Sequence, residues 1–253
     1  MPPADSLVSI ITPAFNAGRF IAETIASVQA QTYDQWEMIV VDDGSRDNTC
    51  EVVEALAKED GRIRLLRLTI NSGPAIARDT ALQAARGRYI AFLDSDDLWL
   101  PEKLDRQLNF MQRRGVAFSY TQYRGISETG EACGRLIVVP PSLDYHQLLK
   151  NTAIATLTVM IDREKTGPLE MINTNYDDYA LWLHLLKKGF IAFGLQEDLA
   201  RYRVVGKSLS RRKGRAALWV WRIYRDTEKL SFSYAARCFA NYAWRAYWKN
   251  KTL

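Results

Sequence analysis

The first 115 residues alternate short apolar runs with amphipathic stretches, and this alternation constrains the fold more than any other feature of the chain. Four runs have the pattern of strands: LVSIITP, WEMIVVDDGS, IRLLRL and RYIAFLD. A segment with helical periodicity follows each run, and the last such segment opens with Pro101 and ends at Gly115. Strands that alternate with helices predict an α/β fold built on an open sheet.

Beyond Gly115 the pattern is less regular. Strand-like runs remain, namely VAFSY, RLIVV and TLTVMI, and long polar stretches separate them. No internal repeat or low-complexity linker divides the chain. We therefore predict one domain, residues 1–210, made of two halves at residues 1–115 and 116–210, followed by a helical tail at residues 211–253.

The tail differs from the rest of the chain in charge. The net charge is +5, but from Arg201 onward 14 Lys and Arg residues accompany only Asp226 and Glu228. Residues 211–253 are also rich in Trp, Tyr and Phe. Basic residues among aromatic ones are typical of helices that lie on an anionic membrane surface, which is the partner we predict for this tail. The alternative is that the aromatic residues pack on the domain or on a dimer partner. No nucleic-acid recognition motif accompanies the tail, so we predict no nucleic-acid partner.

Cysteine usage and hydropathy indicate the compartment. The three cysteines, Cys50, Cys133 and Cys238, are widely spaced, which argues against a disulfide framework or a zinc site and favours a reducing compartment. No window approaches the roughly 18 apolar residues of a membrane-spanning helix. The sequence predicts a cytoplasmic protein that is peripheral on the inner face of the cytoplasmic membrane.

Two clusters of acidic residues follow predicted strands. Asp42 and Asp43 end the second strand, and Asp94, Asp96 and Asp97 end the fourth. Ligands of open α/β sheets bind beyond the carboxyl ends of the strands, so these carboxylates are expected in a ligand crevice. A D-x-D spacing offers the oxygen ligands that Mg²⁺ or Mn²⁺ accepts together with a diphosphate. The alternative is that DSDD only caps the helix that begins near Pro101.

Five segments in a fixed order extend this interpretation. TPAFN, VVDDGSRDNT, NSGPAIARD, YIAFLDSDDLWLP and NYDDYALWLHLLKKG occur in succession between residues 6 and 210. The series resembles the family 2 glycosyltransferases of the GT-A fold, most of all the small bacterial enzymes that build cell-surface polysaccharides such as O-antigen, capsule or lipopolysaccharide. The resemblance implies a Rossmann-like nucleotide-binding half and a mixed sheet.

The resemblance also implies roles for matching residues in donor binding. Phe15 would stack on a uracil-type base, Asp42 would read that base, and Arg78 would reach the nucleotide. Asp96, together with Asp94, would ligate Mn²⁺ or Mg²⁺, and Asp97 would be a supporting or capping residue. The residues expected to bind the nucleotide are Pro13, Ala14, Phe15, Asp42, Arg78, Asp94 and Ser95.

The segment DDYALW matches the family's E-D-x-x-L-W pattern, which implies that Asp178 is the catalytic base and that Asp177 supports it. The alternative is that both acids merely favour a helix N-terminus. Arg203, with Lys207 and Ser208, would support the site by gripping the diphosphate, or would belong to a solvated basic loop. Val205 stands where the family often has a histidine.

The function that follows is inverting transfer of a sugar from a nucleotide-sugar, by resemblance a UDP-sugar, to a hydroxyl of a saccharide acceptor linked to polyprenyl diphosphate. Transfer to polyprenyl phosphate and a sugar-phosphate nucleotidyltransferase activity are the alternatives. Dehydrogenases and P-loop enzymes are excluded because neither G-x-G-x-x-G nor G-x-x-x-x-G-K-[ST] occurs.

Overall fold

A mixed β-sheet with helices on both faces organises the molecule. The strands are β1 (Val8–Ala14), β2 (Trp36–Asp42), β3 (Ile63–Arg67), β4 (Tyr89–Phe92), β5 (Leu98–Trp99), β6 (Phe118–Ile126), β7 (Ser142–Leu143), β8 (Met160–Asp162) and β9 (Ala192–Arg203). This computed structural model describes residues 6–131, 134–151, 153–172, 174, 176–204 and 213–250.

The helices follow the strands in the order that the sequence predicts for the first half. A 3₁₀ turn at Thr156–Thr158 and a π-helical turn at Ile223–Thr227 complete the regular structure of the described residues. The α-helices are α1 (Ile21–Gln29), α2 (Thr49–Glu59), α3 (Pro74–Ala84), α4 (Lys103–Arg114), α5 (Tyr145–Leu148), α6 (Arg163–Thr166), α7 (Asp177–Lys187), α8 (Lys213–Arg222) and α9 (Phe232–Asn250).

The strand order brings the predicted ligand-binding strands together. The sheet runs β3-β2-β1-β4-β8-β6-β9-β5, with β7 paired to β9. The first four strands are parallel, and β8 is antiparallel to both β4 and β6. Ala14 at the end of β1 pairs with Asp42 at the end of β2. The α/β class and the mixed sheet are confirmed, and the carboxyl ends of β1, β2 and β4 lie at one edge.

Both faces of β1, β2 and β4 are buried, which explains their largely apolar sequences. Neighbouring residues of a strand point to opposite faces. Ile10 therefore packs with the apolar residues of α1, α2 and α4, whereas Ile11 packs with those of α3 and α7. The two faces form separate hydrophobic clusters that hold the helices in place on each side of the sheet.

Two strand predictions in the second half need correction. The run RLIVV contributes only an isolated bridge from Ile137 to Tyr123. Val138 is 67% exposed, and Pro140 and Pro141 follow without N–H donors for a ladder. In TLTVMI, only the end enters the sheet, as β8.

The twelve-residue strand β9 was not predicted, because its acidic residues interrupt the apolar pattern. The structure supplies a partner for one of them from the neighbouring strand. Asp198 forms ion pairs with Arg124 of β6 and with Arg201, both at 2.6 Å. These interactions offset the cost of the partly buried carboxylate within the sheet.

The tail helices α8 and α9 pack on the face of the sheet that carries α7. Tyr224, Cys238 and Tyr242 are buried in the same cluster as Trp182 of α7. Packing on the domain, the alternative for the aromatic residues, is therefore what the structure shows for these side chains. Leu218 and Phe232 remain more than half exposed. Within the described ranges, no helix combines the length and apolar character needed to cross a bilayer.

Candidate active site

A cavity lies beyond the carboxyl ends of β1, β2 and β3. Its volume is about 390 Å³, and Phe15 at its wall is 48% exposed. The backbone N–H of Asn16 donates to Ser45 Oγ at 2.8 Å, and the Asn16 side chain accepts from the Arg46 N–H at 2.9 Å. These bonds fix the loop that presents the Phe15 ring to the cavity. The lining residues are Phe15, Asn16, Gly44, Arg46, Thr69, Ile70 and Asn71.

The residues on either side of this loop are held by the sheet. Pro13 and Ala14 are the last residues of β1, and Ala14 is buried. Asp42 is only 3% exposed, and its Oδ2 accepts from the Ser45 N–H at 3.0 Å. Its Oδ1 is buried with no hydrogen-bond partner in the described part of the chain. The Cys50 thiol lies beside this carboxylate, and Asp42 is not among the residues that line the cavity, so its contact with a base stays a prediction.

The adjacent Asp43 has a different role, which the sequence did not reveal. Its Oδ1 accepts from the Ser72 N–H at 2.6 Å, and its Oδ2 accepts from the Gly73 N–H at 2.8 Å. Gly73 has φ +92°, a conformation that favours glycine, and it immediately precedes α3. Asp43 therefore fixes the start of α3, with each oxygen accepting one backbone N–H.

Arg78 of α3 connects the two acidic parts of the site. Its Nη2 donates to Asp94 at 2.6 Å and its Nη1 donates to Asp177 at 2.8 Å. Burial alone would lower the pKa of Arg78, but the carboxylates of Asp94, Asp177 and Asp178 more than offset this, so the pKa is raised. The sequence identified Arg78 but not this bridge, and its contact with the nucleotide stays a prediction.

The D-x-D residues lie directly after β4. The Asp94 side chain is 32% exposed, and Ser95 and Asp96 are half-buried. Burial, and after it the neighbouring Asp94 carboxylate, raise the pKa of Asp96 to about 6. A divalent cation between these carboxylates would remove that repulsion, so the donor set fits one.

The described residues offer this cation few ligands. No group of three or more His, Cys, Asp and Glu side chains among them is placed to hold a metal ion. Two carboxylates that share a cation with substrate phosphates are the usual arrangement for Mg²⁺. The geometry thus fits a metal that binds together with a diphosphate, rather than one held by the protein alone.

The helix-capping alternative for DSDD is wrong. The N-cap of α4 is Glu102, and β5 separates it from the acidic cluster. Asp97 is 1% exposed, and its Oδ1 accepts from the backbone N–H of Arg203 at 2.8 Å. Burial, and then the carboxylates of Asp96 and Asp94, raise the pKa of Asp97 well above its usual range. Asp97 is a supporting residue that joins the D-x-D turn to the end of β9.

The guanidinium of Arg203 is bound by the protein itself. The residue is 1% exposed, and Nε donates to the carbonyl of Asp96 at 2.7 Å. Nη2 donates to Glu23 at 2.7 Å, and Nη1 donates to the carbonyl of Glu128 at 3.0 Å. Arg203 therefore supports the D-x-D turn, and its predicted grip on the diphosphate stays a prediction. The other predicted members of that grip, Lys207 and Ser208, and the substituted Val205 lie outside the described residues.

The two acids that begin α7 differ in environment. Asp177 is buried and paired with Arg78, whereas Asp178 is half-buried. Asp178 Oδ1 accepts from the Tyr179 N–H at 2.6 Å, and Oδ2 accepts from the Thr156 hydroxyl. Burial, and then the Asp177 carboxylate, raise the pKa of Asp178 against the opposing effect of Arg78 and these two donors. A carboxylate with a raised pKa is suited to accept a proton, and no pattern in the sequence indicated its partner Thr156.

Comparison with known proteins shows which family the chain resembles. The model of Glycosyl transferase family 2 matches residues 9–165. A putative teichuronic acid biosynthesis glycosyltransferase, TuaG of Bacillus subtilis, is 49% identical over 94% of each chain. WfgD of Escherichia coli, a UDP-Glc:alpha-D-GlcNAc-diphosphoundecaprenol beta-1,3-glucosyltransferase, is 40% identical over 88% of this chain and 87% of its own.

Solved structures agree on the fold. Staphylococcus aureus TarS 1–349 in complex with UDP-GlcNAc aligns with a TM-score of 0.72 at 16% identity, covering 96% of this chain and 73% of that one. The mannosyltransferase PcManGT of Pyrobaculum calidifontis, in complex with GDP-Man and Mn²⁺, aligns with a TM-score of 0.71 at 18% identity, covering 97% and 72%. The acidic edge of a mixed α/β sheet, the family match and these relatives lead to one conclusion: the chain belongs to glycosyl transferase family 2 and has the GT-A fold.

Proposed function

We propose that the protein transfers a sugar from a UDP-sugar to a saccharide hydroxyl on a polyprenyl diphosphate carrier, during synthesis of a bacterial cell-surface polysaccharide. The names of WfgD and of its E. coli counterpart WfaP, 38% identical over 82% of this chain, support this donor and this acceptor. The observation that carries the proposal is the Arg78 bridge. It brings the acids after β4 beside Asp178, so a donor and a proton acceptor would share one site.

The roles of the residues follow from their surroundings. Phe15 would stack on the base, and the unpartnered Oδ1 of Asp42 would accept from the base N–H. Asp178 would take the proton from the attacking acceptor hydroxyl. Because a single displacement proceeds from the face opposite the leaving group, the configuration at the anomeric carbon would be inverted.

Asp94 and Asp96 would hold Mn²⁺ or Mg²⁺ together with the diphosphate. When bound, such an ion stabilises the negative charge that develops on a leaving phosphate. Arg78 would keep Asp94 in position from the protein side and would hold Asp177, so that of the two acids that begin α7 only Asp177 is in a described ion pair.

A panel of nucleotide-sugars tests the proposal. Thermal unfolding of the full chain would be measured with each UDP-sugar and with GDP-mannose as the contrasting nucleotide, each with and without Mn²⁺. A bound donor raises the unfolding temperature by mass action. We expect stabilisation by UDP-sugars; stabilisation by GDP-mannose alone would contradict the donor class.

Transfer itself would be measured on a synthetic sugar diphosphate with a short alkyl chain. We expect Asp178→Asn to reduce the rate by about 10²- to 10⁴-fold with little change in donor affinity. Asp79→Asn is the control; Asp79 is a half-buried residue of α3 whose carboxylate accepts from the Gln83 side chain and from the Met171 N–H. An Asp178→Asn enzyme that keeps most of its rate would refute the assignment of the base.

We also propose that the tail meets the inner face of the cytoplasmic membrane. Its basic residues and the exposed Leu218 and Phe232 support this location. Sedimentation of the full chain with phosphatidylglycerol vesicles at low salt is the test. If the protein does not sediment with these vesicles, the tail only packs on the domain.

A further inference from the structure

Four tyrosines join the catalytic helix α7 to the tail. We call Tyr176, Tyr179, Tyr224 and Tyr242 the tyrosine cluster; the first two flank the acid pair at the start of α7, and the last two belong to the tail. The hydroxyls of Tyr176 and Tyr242 are 3.3 Å apart, and those of Tyr179 and Tyr224 are 3.1 Å apart. Each tyrosine beside the acids thus has a hydroxyl partner in the tail.

Ring contacts reinforce these bonds. The ring centroids of Tyr179 and Tyr242 are 5.8 Å apart in an edge-to-face arrangement, and those of Tyr176 and Tyr179 are 5.7 Å apart. Such pairs contribute beyond their buried area. Tyr179, Tyr224 and Tyr242 are all at most 6% exposed. The first turn of α7 therefore packs directly against α9 and against the π-helical turn at Ile223–Thr227 that contains Tyr224.

This packing bears on Asp178 through the backbone. The N–H of Tyr179 donates to Asp178 Oδ1 at 2.6 Å, so the position of Tyr179 sets one side of the carboxylate. On the other side of the acid pair, Tyr176 is the N-cap of α7, and its side chain makes no capping hydrogen bond. A helix start without a side-chain cap is prone to fraying. The contacts within the tyrosine cluster stabilise this helix start instead.

We propose that Tyr242 is a positioning residue for transfer, which holds Asp178 in its reactive orientation through Tyr176 and Tyr179. This inference rests on the proposed function in one respect, namely that Asp178 is the base. It gives the tail a role in the chemistry besides any contact with a membrane, because the residue that orients the base belongs to the tail.

The first measurement does not need activity. Hydrogen exchange of the full chain would be followed in peptides that cover the start of α7, for wild type, Tyr242→Ala and Tyr234→Ala. Tyr234 is the matched control, since it lies on the same helix but bonds to His146 of α5. We expect faster exchange at the Tyr179 and Ala180 N–H groups in Tyr242→Ala only. Unchanged exchange there would overturn the proposal.

The second measurement is the transfer rate on the short-chain acceptor, which removes any need for a membrane. We expect Tyr242→Ala to lower kcat by about 10- to 100-fold, while the midpoint for stabilisation by UDP with Mn²⁺ stays unchanged. Tyr242→Phe keeps the ring against Tyr179 and should retain most of kcat. Equal losses of kcat in Tyr242→Ala and Tyr234→Ala would mean that α9 is merely structural.

A third comparison covers the case in which Tyr242→Ala does not fold. The variants Tyr176→Phe, Tyr242→Phe and their double combination remove only hydroxyls. We expect the double variant to speed exchange at the Tyr179 and Ala180 N–H groups no more than the more affected single variant does, because both remove the same hydroxyl contact. Fully additive effects on exchange would reject the coupling. If wild type transfers no sugar at all, the proposed function fails, and the exchange experiment still decides whether the tail holds α7.

Discussion

Replacement of Arg78 by methionine should destabilise the protein strongly. The Arg78 side chain is 8% exposed and pairs with Asp177, which is 6% exposed, and with Asp94, which is 32% exposed. Methionine has a similar length and fills much of the same space, but it leaves both carboxylates without their cation. The two consequences differ in size, because only one of the acids is fully buried.

The magnitude follows from that difference. Removing one partner of a buried pair typically costs about 3–5 kcal/mol, since the remaining charge is left in a poorly solvated place. This applies to Asp177. The half-exposed Asp94 can be solvated and adds at most about 1 kcal/mol. We therefore expect Arg78→Met to lower the free energy of unfolding by about 3–5 kcal/mol.

Urea unfolding at neutral pH measures this loss. Arg67→Met is the matched control, because the Arg67–Glu54 pair is about half exposed on both sides and should change stability by no more than about 1 kcal/mol. Adding Asp177→Asn to Arg78→Met should restore much of the loss, since the stranded charge is gone.

Two outcomes would refute this reasoning. If Arg78→Met loses less than about 1 kcal/mol, the bridge is no stronger than a surface ion pair. If Asp177→Asn gives no recovery in the double variant, the loss comes from packing around Arg78 rather than from the buried carboxylate.

Three further predictions follow from other groups. Because Asp178, as the proposed base, must be deprotonated to act and its pKa is raised, kcat should fall as the pH drops through that raised pKa; a flat pH–rate profile down to about pH 4 would contradict this. Asp96→Ala should abolish the Mn²⁺-dependent part of stabilisation by UDP in a thermal melt, and unchanged metal dependence would reject Asp96 as a ligand. Lys103 is fully buried over the Trp99 ring, 3.7 Å from its centroid, and its amine has no hydrogen-bond partner among the described residues. Lys103→Met should therefore stabilise the fold by about 1–3 kcal/mol. Burial lowers the pKa of Lys103 in the folded state, so wild-type stability should rise with pH towards its ordinary pKa of 10.5, and the variant should lack this rise.

The sequence by itself determined the local structure of the first half and the place of the ligand edge. The strands β1 to β4 and the helices between them follow from apolar periodicity, which reflects the burial of each element. Helix α4 lies between Pro101 and Gly115 as expected, because proline favours a helix start and the left-handed φ of +64° at Gly115 favours glycine. The acids after β2 and β4 share an edge because parallel strands end together.

Only the tertiary structure decided what adjacent acids do. Asp42 and Asp43 are neighbours, yet one oxygen of Asp42 has no described donor, whereas each oxygen of Asp43 accepts an N–H of the loop before α3. Asp177 and Asp178 also differ in their partners, because Arg78 donates a hydrogen bond to Asp177 and not to Asp178. Successive side chains point in different directions, so their partners depend on what packs beside each direction.

The same reason explains why the sequence could not determine the surroundings of Arg203 or of the aromatic tail. Arg203 is as basic as any loop residue in sequence, but the folded chain surrounds it with carbonyls of Asp96 and Glu128 and with Glu23. For the aromatic tail the sequence favours a membrane contact, with packing on the domain as the alternative, and the structure shows that packing for Tyr224 and Tyr242. Local patterns encode backbone conformation and burial, whereas the partner of a side chain comes from segments that are distant in sequence, as with Arg78 and Asp177, 99 residues apart.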